Sequence, residues 1–479
     1  MLKYLNESVD GKSVAFIRIS FAAVMIYWLA EHIVYDKISY NYYQPSYLFP
    51  YFGWDWFGRW PGRGLHWHFV ITLLAAAGML VGAFYRFSSV VFAACFVYIF
   101  LLDKTTYQNH YYFVSLMAVL LAVCPVHRCW SYGGLRLGLP QTVPRWVVWL
   151  LRFQIGIVYF YGGVAKMNID WLSGFPMQHV LAGKQDHFLI GSFCQEVWFV
   201  HVFCWAGMLF DLLIAPMLLF PKTRRLGYLL ALAFHLTNAT LFKIGIFPWL
   251  MIFVTTIFFA PDWPDRVLVF FKQKESTPPE VKPAKVASPQ RASGWRRVLL
   301  YSFLCVFVLL QVLLPLRHFA WAENTSWTER NHHFSWHMKL RGKRTLFRYY
   351  VIDKASGRGR YFSMKGHLKL HQLKRLSVDP YMIRDFARFI KSYHEFKGMH
   401  DGSVIQDVAV RAFVMCSLNG RTPQLMIDPN VDLAADELPD NWIVPLKEDI
   451  GGGWYAPVES WEQLGMEDPI LKGFMAGQE

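Results

Sequence analysis

Long runs without charged residues constrain the fold of this chain more than any other feature, and nearly all of them lie before Leu316. A helix of about 20 apolar residues crosses the roughly 30 Å hydrocarbon core of a bilayer. With 54% hydrophobic and only 17% charged residues, the chain is too apolar for an ordinary soluble protein. The sequence therefore predicts an integral, multi-pass membrane domain at 1–315, followed by a polar domain at 316–479.

Nine apolar segments are candidate membrane spans: 13–35, 66–84, 88–102, 111–126, 146–164, 197–220, 226–242, 246–261 and 297–315. The segments at 88–102 and 111–126 are short for a bilayer, which predicts that their outer ends meet in a recess lined by protein. The loop at 41–60 is crowded with Tyr, Phe and Trp, a composition typical of a segment lying in the headgroup layer.

The distribution of Lys and Arg predicts how the chain is oriented in the membrane. The connections at 127–145, 221–225 and 262–297 are basic, and basic loops stay on the cytoplasmic side. Nine crossings then give a cytoplasmic N-terminus and a C-terminal domain in the periplasm, the cell exterior or the ER lumen. This topology accounts for the net charge of +14, and no nucleic-acid-binding motif accompanies it, so we expect a lipid bilayer as partner and no nucleic acid. The Pro-, Ser-, Lys- and Glu-rich part of 262–297 predicts a flexible cytoplasmic linker.

The C-terminal domain shows patterns of both strands and helices. Alternation of apolar and polar residues at 345–353 and 408–416 predicts strands, and Ser356-Gly357 and Asn419-Gly420 are turn signals. A helix is expected near 380–393. The predicted fold class is an α-helical multi-pass membrane domain followed by a mixed α/β, strand-rich extracytoplasmic domain.

Ionisable residues at the membrane segments are candidates for function because they are costly there. Lys166 ends one apolar run, His110 begins another, and His235 lies mid-run with Asn238 on the same helical face. Each has two interpretations. Lys166 is either a snorkelling anchor or a desolvated neutral amine that acts as a base. The two histidines and Asn238 either join helices or line a site.

Three histidines close to one another raise the question of a metal. His333 and His337 stand four residues apart beside His332, so a helix there would present two ligands on one face. No nearby carboxylate completes a His-Glu-x-x-His pattern, and the other histidines are scattered. We therefore expect no metal.

A series of motifs extends over most of the chain: TYQNH at 106–110, IVYFYGGVAKMNIDW at 157–171, FHLTNATLFKIGIF at 234–247, APDWP at 260–264, LRHF at 316–319, FSWHM at 334–338, IDPNVD at 427–432 and NWIVPL at 441–446. In this order they resemble the vitamin K-dependent gamma-glutamyl carboxylases, in a short form that could come from a bacterium. The helical half resembles the horizontally transferred transmembrane domain.

The resemblance implies a coupled reaction on vitamin K hydroquinone, either phylloquinone or a menaquinone. A lysine deprotonates the hydroquinone, and O2 converts it into a far stronger alkoxide base. That base removes a γ-proton from a glutamate of a protein or peptide substrate, CO2 adds to the carbanion, and the quinone leaves as its 2,3-epoxide. No protein side chain is basic enough for this proton, which is why a cofactor must supply the base. A quinone reductase would regenerate the hydroquinone.

The same resemblance implies roles for individual residues. The catalytic group comprises Lys166 and His110. The predicted cofactor-binding residues are Asn109, His235, Asn238 and Met338. The predicted substrate-binding residues are His318, Asn331 and Trp336. Two alternatives stay open, namely a vitamin K hydroquinone epoxidase without protein carboxylation, and a noncatalytic membrane protein that binds or matures a peptide. A buried base favours either enzyme over the binding protein.

Overall fold

The computed structural model describes residues 2–51, 53–54, 56–187, 190–242, 244–272, 294–401 and 407–447. Most of the predicted linker at 262–297 and the end of the polar domain after 447 lie outside the described residues. The longer helices of the first half are Lys12–Val34, Gly64–Val81, Tyr85–Leu101, Asn109–Val123, Arg145–Ala165, Val197–Leu219, Arg224–Leu241 and Gly294–Leu313. Phe247–Val254 is a shorter helix that continues as a 3-10 turn at Thr255–Phe258.

Every predicted span is helical over most of its length, but nine crossings are not confirmed. Five helices in the described part of the chain are long and apolar enough to cross a membrane: Lys12–Val34, Gly64–Val81, Arg145–Ala165, Val197–Leu219 and Arg297–Ala320. Three further apolar helices are shorter, at Tyr85–Leu101, Asn109–Val123 and Phe247–Phe258. Arg224–Leu241 has 18 residues but is not apolar enough to join the five. The count of nine therefore stays a prediction.

Short elements fill the connections of the helical half. They are the helices Leu2–Leu5, Tyr132–Arg136, Ile169–Leu172, Phe175–Ala182 and Trp263–Lys272, the 3-10 turns Lys104–Thr106, Gly191–Phe193 and Leu314–Ala320, the π-helical turn Ser39–Tyr43, and a two-stranded ribbon of Ser8–Asp10 with Thr142–Pro144. Arg18 is fully buried and donates to the backbone carbonyls of Met79, Leu80 and Trp130. It therefore satisfies carbonyls that a helix end and a turn leave without partners.

The polar half contains a four-stranded antiparallel sheet in the order Gly359–Phe362, Lys343–Asp353, Val408–Leu418, Gln424–Leu425. The helices of this half are Thr325–Thr328, Leu370–Leu376 and Pro380–Asp401. The long helix buries Phe386 and Ile390 in the same core as Tyr349 and Val410 of the two central strands. The predicted strands and helix are confirmed. Asn419 and Gly420 have positive φ angles of 52° and 83°, as a tight turn after a strand requires.

Part of the aromatic loop at 41–60 is built into the polar domain, and the position of the loop in the headgroup layer stays a prediction. Phe49 is fully buried in that domain's core, and the Tyr47 ring packs against Phe389 with 4.9 Å between centroids. Asp103 accepts hydrogen bonds from the backbone of Phe49 and from Gln372 of the helix Leu370–Leu376. Composition alone could not distinguish an aromatic surface that faces lipid from one that faces another domain. The boundary at 315/316 stays a prediction, since residues from before it contribute to this core.

Candidate active site

Lys166 lies directly after the last residue of the helix Arg145–Ala165 and is only 6% exposed. Its Nζ donates to the Asp211 carboxylate over 2.6 Å and to the Gly162 carbonyl over 3.0 Å. The ammonium also lies 5.3 Å from the ring centroid of Trp171. The side chain of Asn168 caps the next short helix, Ile169–Leu172, by accepting a hydrogen bond from the backbone N–H of Trp171. Lys166 is therefore held by a buried ion pair and does not snorkel to the surface.

Two glycines bring the helix of Lys166 against the helix of Asp211. A Cβ atom on Gly163 would lie 2.7 Å from the Cγ atom of Leu212. A Cβ atom on Gly162 would lie 3.2 Å from Asp211 Oδ2 and 2.9 Å from Met338 Cε. Small residues at such positions allow membrane helices to approach closely. The pair Gly162-Gly163 thus makes room for the Lys166–Asp211 contact.

Asp211 is the main site residue that the sequence analysis missed. It is 3% exposed in the middle of the helix Val197–Leu219. The sequence did contain a signal for Asp211, since it is a lone carboxylate inside a predicted span. Such a residue is costly in a membrane unless it is paired, so it indicates a functional site. Its presence also corrects the physical picture of Lys166, which lies against a carboxylate and not in a purely apolar pocket.

Phe247 connects the two predicted site histidines. The His110 ring stacks on Phe247 with 5.8 Å between centroids, and the His235 ring meets Phe247 edge-on at 6.2 Å. His235 Nε2 lies 2.7 Å from the Tyr159 hydroxyl, while its buried Nδ1 atom has no hydrogen-bond partner in the described part of the chain. Tyr159 and Lys166 are seven residues apart, so they lie on one helix face about 10 Å apart along the axis. Asn238 is half-buried near the end of the helix of His235.

A segment of the polar half, residues 331–339, lies against the helical half and brings further predicted residues to this region; we call it the bridging loop. Asn109 donates to the His337 carbonyl over 2.8 Å, and Tyr107 accepts from the Phe334 backbone over 2.7 Å. These bonds hold the loop against the start of the helix Asn109–Val123. Met338 therefore reaches Gly162, beside the Lys166–Asp211 pair.

The predicted substrate-binding residues occupy different environments. Trp336 is fully buried, with its ring 4.8 Å from that of Tyr112, so it packs the bridging loop onto the helical domain. His318 is half-buried, and its ring centroid lies 4.6 Å from that of His337. Asn331 is half-buried, and its carbonyl accepts from the Ser335 hydroxyl. These three residues belong to or touch the bridging loop, but their predicted roles stay predictions.

The hypothetical helix carrying His333 and His337 is wrong. Asn331, Phe334, Trp336 and Lys339 have positive φ angles between 57° and 62°, which a right-handed helix cannot contain. The rings of His332 and His337 meet instead, with 3.4 Å between their Nδ1 atoms. Burial lowers the pKa of both histidines, that of His337 to about 3, so neither ring is charged at neutral pH. Within the described ranges, no group of three or more His, Cys, Asp or Glu residues is arranged to hold a metal ion.

A second buried ion pair joins the two halves near Lys166. Asp170 binds Arg421 with both carboxylate oxygens, each over 2.7 Å, and accepts from the Asn419 amide over 2.7 Å. Asp170 precedes Trp171, the ring beside the Lys166 ammonium. Nothing in the local sequence around Asp170 indicates a partner 251 positions away.

The surroundings of His110 and His235 suit a flat aromatic ligand with polar substituents. Phe247, Phe210 and Tyr159 supply ring faces and edges, and Phe210 stacks on Phe234 at 4.0 Å. The unpartnered Nδ1 atom of His235 offers a hydrogen bond in this otherwise apolar setting. A reduced quinone has these features, so the residues present fit it.

Comparison with known families gives two matches. The model of the HTTM domain matches residues 6–263, which is more than half of the chain. The model of the lumenal domain of vitamin K-dependent gamma-carboxylase matches residues 296–449. No solved structure matches the chain. With both parts present in this order, the chain belongs to the vitamin K-dependent gamma-glutamyl carboxylase family.

Proposed function

We propose that this protein carboxylates the γ-carbon of glutamate residues in a protein or peptide substrate, with reduced vitamin K, O2 and CO2 as co-reactants. The observation that carries the proposal is the buried Lys166–Asp211 pair, which lies beside the bridging loop, where the two family-defining parts are in contact. A noncatalytic binding protein has no need of such a pair, because a buried ion pair is seldom a net source of stability.

Lys166 and Asp211 act together as a proton acceptor in this proposal. A hydrogen bond of 2.6 Å lets one proton be held on either Nζ or Oδ2. When the proton lies on Asp211, the Lys166 amine has a free lone pair and can accept a proton from a hydroxyl group presented to it. The ammonium so formed then stabilises the oxyanion that has lost the proton, while Asp211 keeps its own proton.

The neighbouring residues bind, orient and exclude water. Tyr159 fixes the ring of His235 so that its Nδ1 atom points away from that hydrogen bond, and His235 with His110 would hold the oxygens of the quinone. Asn109 orients the bridging loop, and Asn238 and Met338 complete the predicted cofactor contacts. The bound hydroquinone supplies, with O2, the strong base that the protein lacks. Burial of the surrounding rings limits its quenching by water.

The remaining parts of the proposal concern topology and partners. We propose a cytoplasmic N-terminus, a membrane domain that ends near 315, and a C-terminal domain in the periplasm, the cell exterior or the ER lumen. The glutamate substrate would then reach the site from that side, while the quinone enters from the bilayer. A membrane quinone reductase would return the hydroquinone. His318, Asn331 and Trp336 belong to the predicted substrate side.

The test uses the purified full-length chain in nanodiscs with reduced vitamin K, O2, labelled bicarbonate and a short Glu-containing peptide. Epoxide and acid-stable label are followed together in the wild type, Lys166→Met and Asp211→Asn. The exposed Lys365→Met is the matched control. We expect both products from the wild type and control, neither from Lys166→Met, and a reduced rate with an altered pH profile for Asp211→Asn.

Each other result points to one alternative. Epoxide without label from the wild type would replace the proposal with an uncoupled epoxidase. No product of either kind, with several peptides and both phylloquinone and menaquinone, would favour the peptide-binding protein. Full activity in Lys166→Met would refute the role of Lys166.

A further inference from the structure

Lys339 is a cation beside the candidate active site that the proposed function has not used. The two residues flanking it are anchored. Met338 contacts Gly162 next to the Lys166–Asp211 pair, and Leu340 is buried in the cluster that contains Trp171 and Phe242. The backbone of Lys339 is therefore fixed near Lys166, and it adopts a left-handed φ of 58° that lysine seldom adopts.

The side chain of Lys339 lies against an aromatic ring and is also reached by solvent. Its Nζ atom lies 5.4 Å from the ring centroid of Phe242, and the residue is exposed. Its pKa is nevertheless lowered, chiefly by the desolvation that surrounding atoms cause and then by repulsion from Arg375 and Lys184. Protein atoms therefore crowd the ammonium on one side, while solvent reaches it on the other. The Lys339 ammonium is also close enough to His110 for its charge to act on that ring.

The carboxylates of the neighbouring segments are already paired. Asp211 is bound by Lys166, and Asp170 is bound by Arg421. Glu329 is bound by Lys343 over 2.7 Å and also by Arg341. Lys339 has no carboxylate partner among the residues that the structure describes. An unpaired and partly desolvated ammonium, with other cations nearby, favours an anionic ligand.

We propose that Lys339 binds the γ-carboxylate of the substrate glutamate and holds its γ-carbon towards Lys166. This inference rests on the proposed function for the identity of the anion. Proton loss from a carbon next to a carboxylate adds a second negative charge to that group. A cation already in contact with the carboxylate stabilises this added charge without reorganisation.

The first experiment measures binding, which needs no turnover. Fluorescence anisotropy gives the affinity of the full-length protein in nanodiscs for a Glu-containing peptide and for the same peptide with Gln in place of Glu. We expect the wild type to prefer the Glu peptide by about tenfold, the size of one charge-assisted contact. Lys339→Gln should lose this preference, Lys339→Arg should keep most of it, and the exposed Lys365→Gln should not change it. Equal helicity by circular dichroism establishes that Lys339→Gln is folded.

The second experiment measures carboxylation by the same variants. Lys339→Gln should raise the KM for the peptide about tenfold or more, while the KM for reduced vitamin K stays unchanged. A wild type with no Glu preference, or a Lys339→Gln variant that keeps it, overturns the inference. If the wild type shows the preference and the variant loses it but no carboxylation occurs, the anion site stands and the proposed function fails. An equal rise in KM for Lys365→Gln would also overturn the assignment to Lys339.

Discussion

The Lys166–Asp211 pair predicts a strong energetic coupling between two membrane helices. Asp211→Leu leaves the Lys166 amine with the Gly162 carbonyl and the Trp171 ring as its neighbours. Removing one partner of a buried pair costs about 3–5 kcal/mol. The cost of leaving the Lys166 charge unpaired cannot exceed the cost of folding with this amine in its neutral form. At pH 7 that cost is about 5 kcal/mol. The double variant Lys166→Met/Asp211→Leu leaves no charge behind, so it should cost less than either single change. We expect a coupling energy of about 3 kcal/mol or more.

The measurement is the free energy of unfolding in mixed micelles, followed by loss of helix signal as the fraction of SDS increases. All four proteins of the double-mutant cycle are compared at pH 7. The reasoning is refuted if the two single costs add to the double cost within about 0.5 kcal/mol, because independent sites behave in that way. Raising the pH should restore part of the stability of Asp211→Leu, since the lone amine then folds without having to lose a proton. The wild type should lack this gain.

Three further changes test other parts of the structure. Arg421→Met leaves Asp170 with the Asn419 amide alone and should cost about 3–5 kcal/mol in the same assay, whereas Asp170→Asn/Arg421→Met should cost less. Arg18→Met leaves buried carbonyls without donors and should cost about 3 kcal/mol, against almost nothing for the exposed Arg63→Met. Burial raises the pKa of Asp103 to about 6, so its proton is held more tightly in the folded state. Stability should therefore fall by about 3 kcal/mol between pH 4 and pH 6 and then level off, and Asp103→Asn should lose that fall; an unchanged pH profile would contradict this.

Much of the fold followed from local patterns. Each apolar run became a helix, and the alternating segments at 345–353 and 408–416 became the two central strands. Periodicity and hydropathy are properties of short windows, so a single sequence is enough to detect them. The number of membrane crossings could not be predicted from these patterns, because a segment such as Asn109–Val123 is helical whether or not it spans the bilayer.

The candidate site was predicted only in part. Lys166, His110 and His235 were predicted as site residues because an ionisable group at an apolar run stands out in a sequence. Asp211 carried the same signal and was missed, while Arg421 carried none, since nothing in the local sequence distinguishes it from the other arginines of a polar domain. The supposed metal-binding helix failed because a spacing of four residues implies one face only where the backbone is helical.

By itself, the sequence determined which segments are apolar enough to enter a membrane and where the composition changes from apolar to polar. It also determined which motifs, in their order along the chain, mark the family. These features depend on neighbours along the chain. Only the tertiary structure decided that Lys166 meets Asp211, that Asp170 meets Arg421, and that the bridging loop brings Met338 and Lys339 to the same place. The physical reason is that charge pairing and close helix approach act through space, over a few ångströms, between residues that lie tens to hundreds of positions apart.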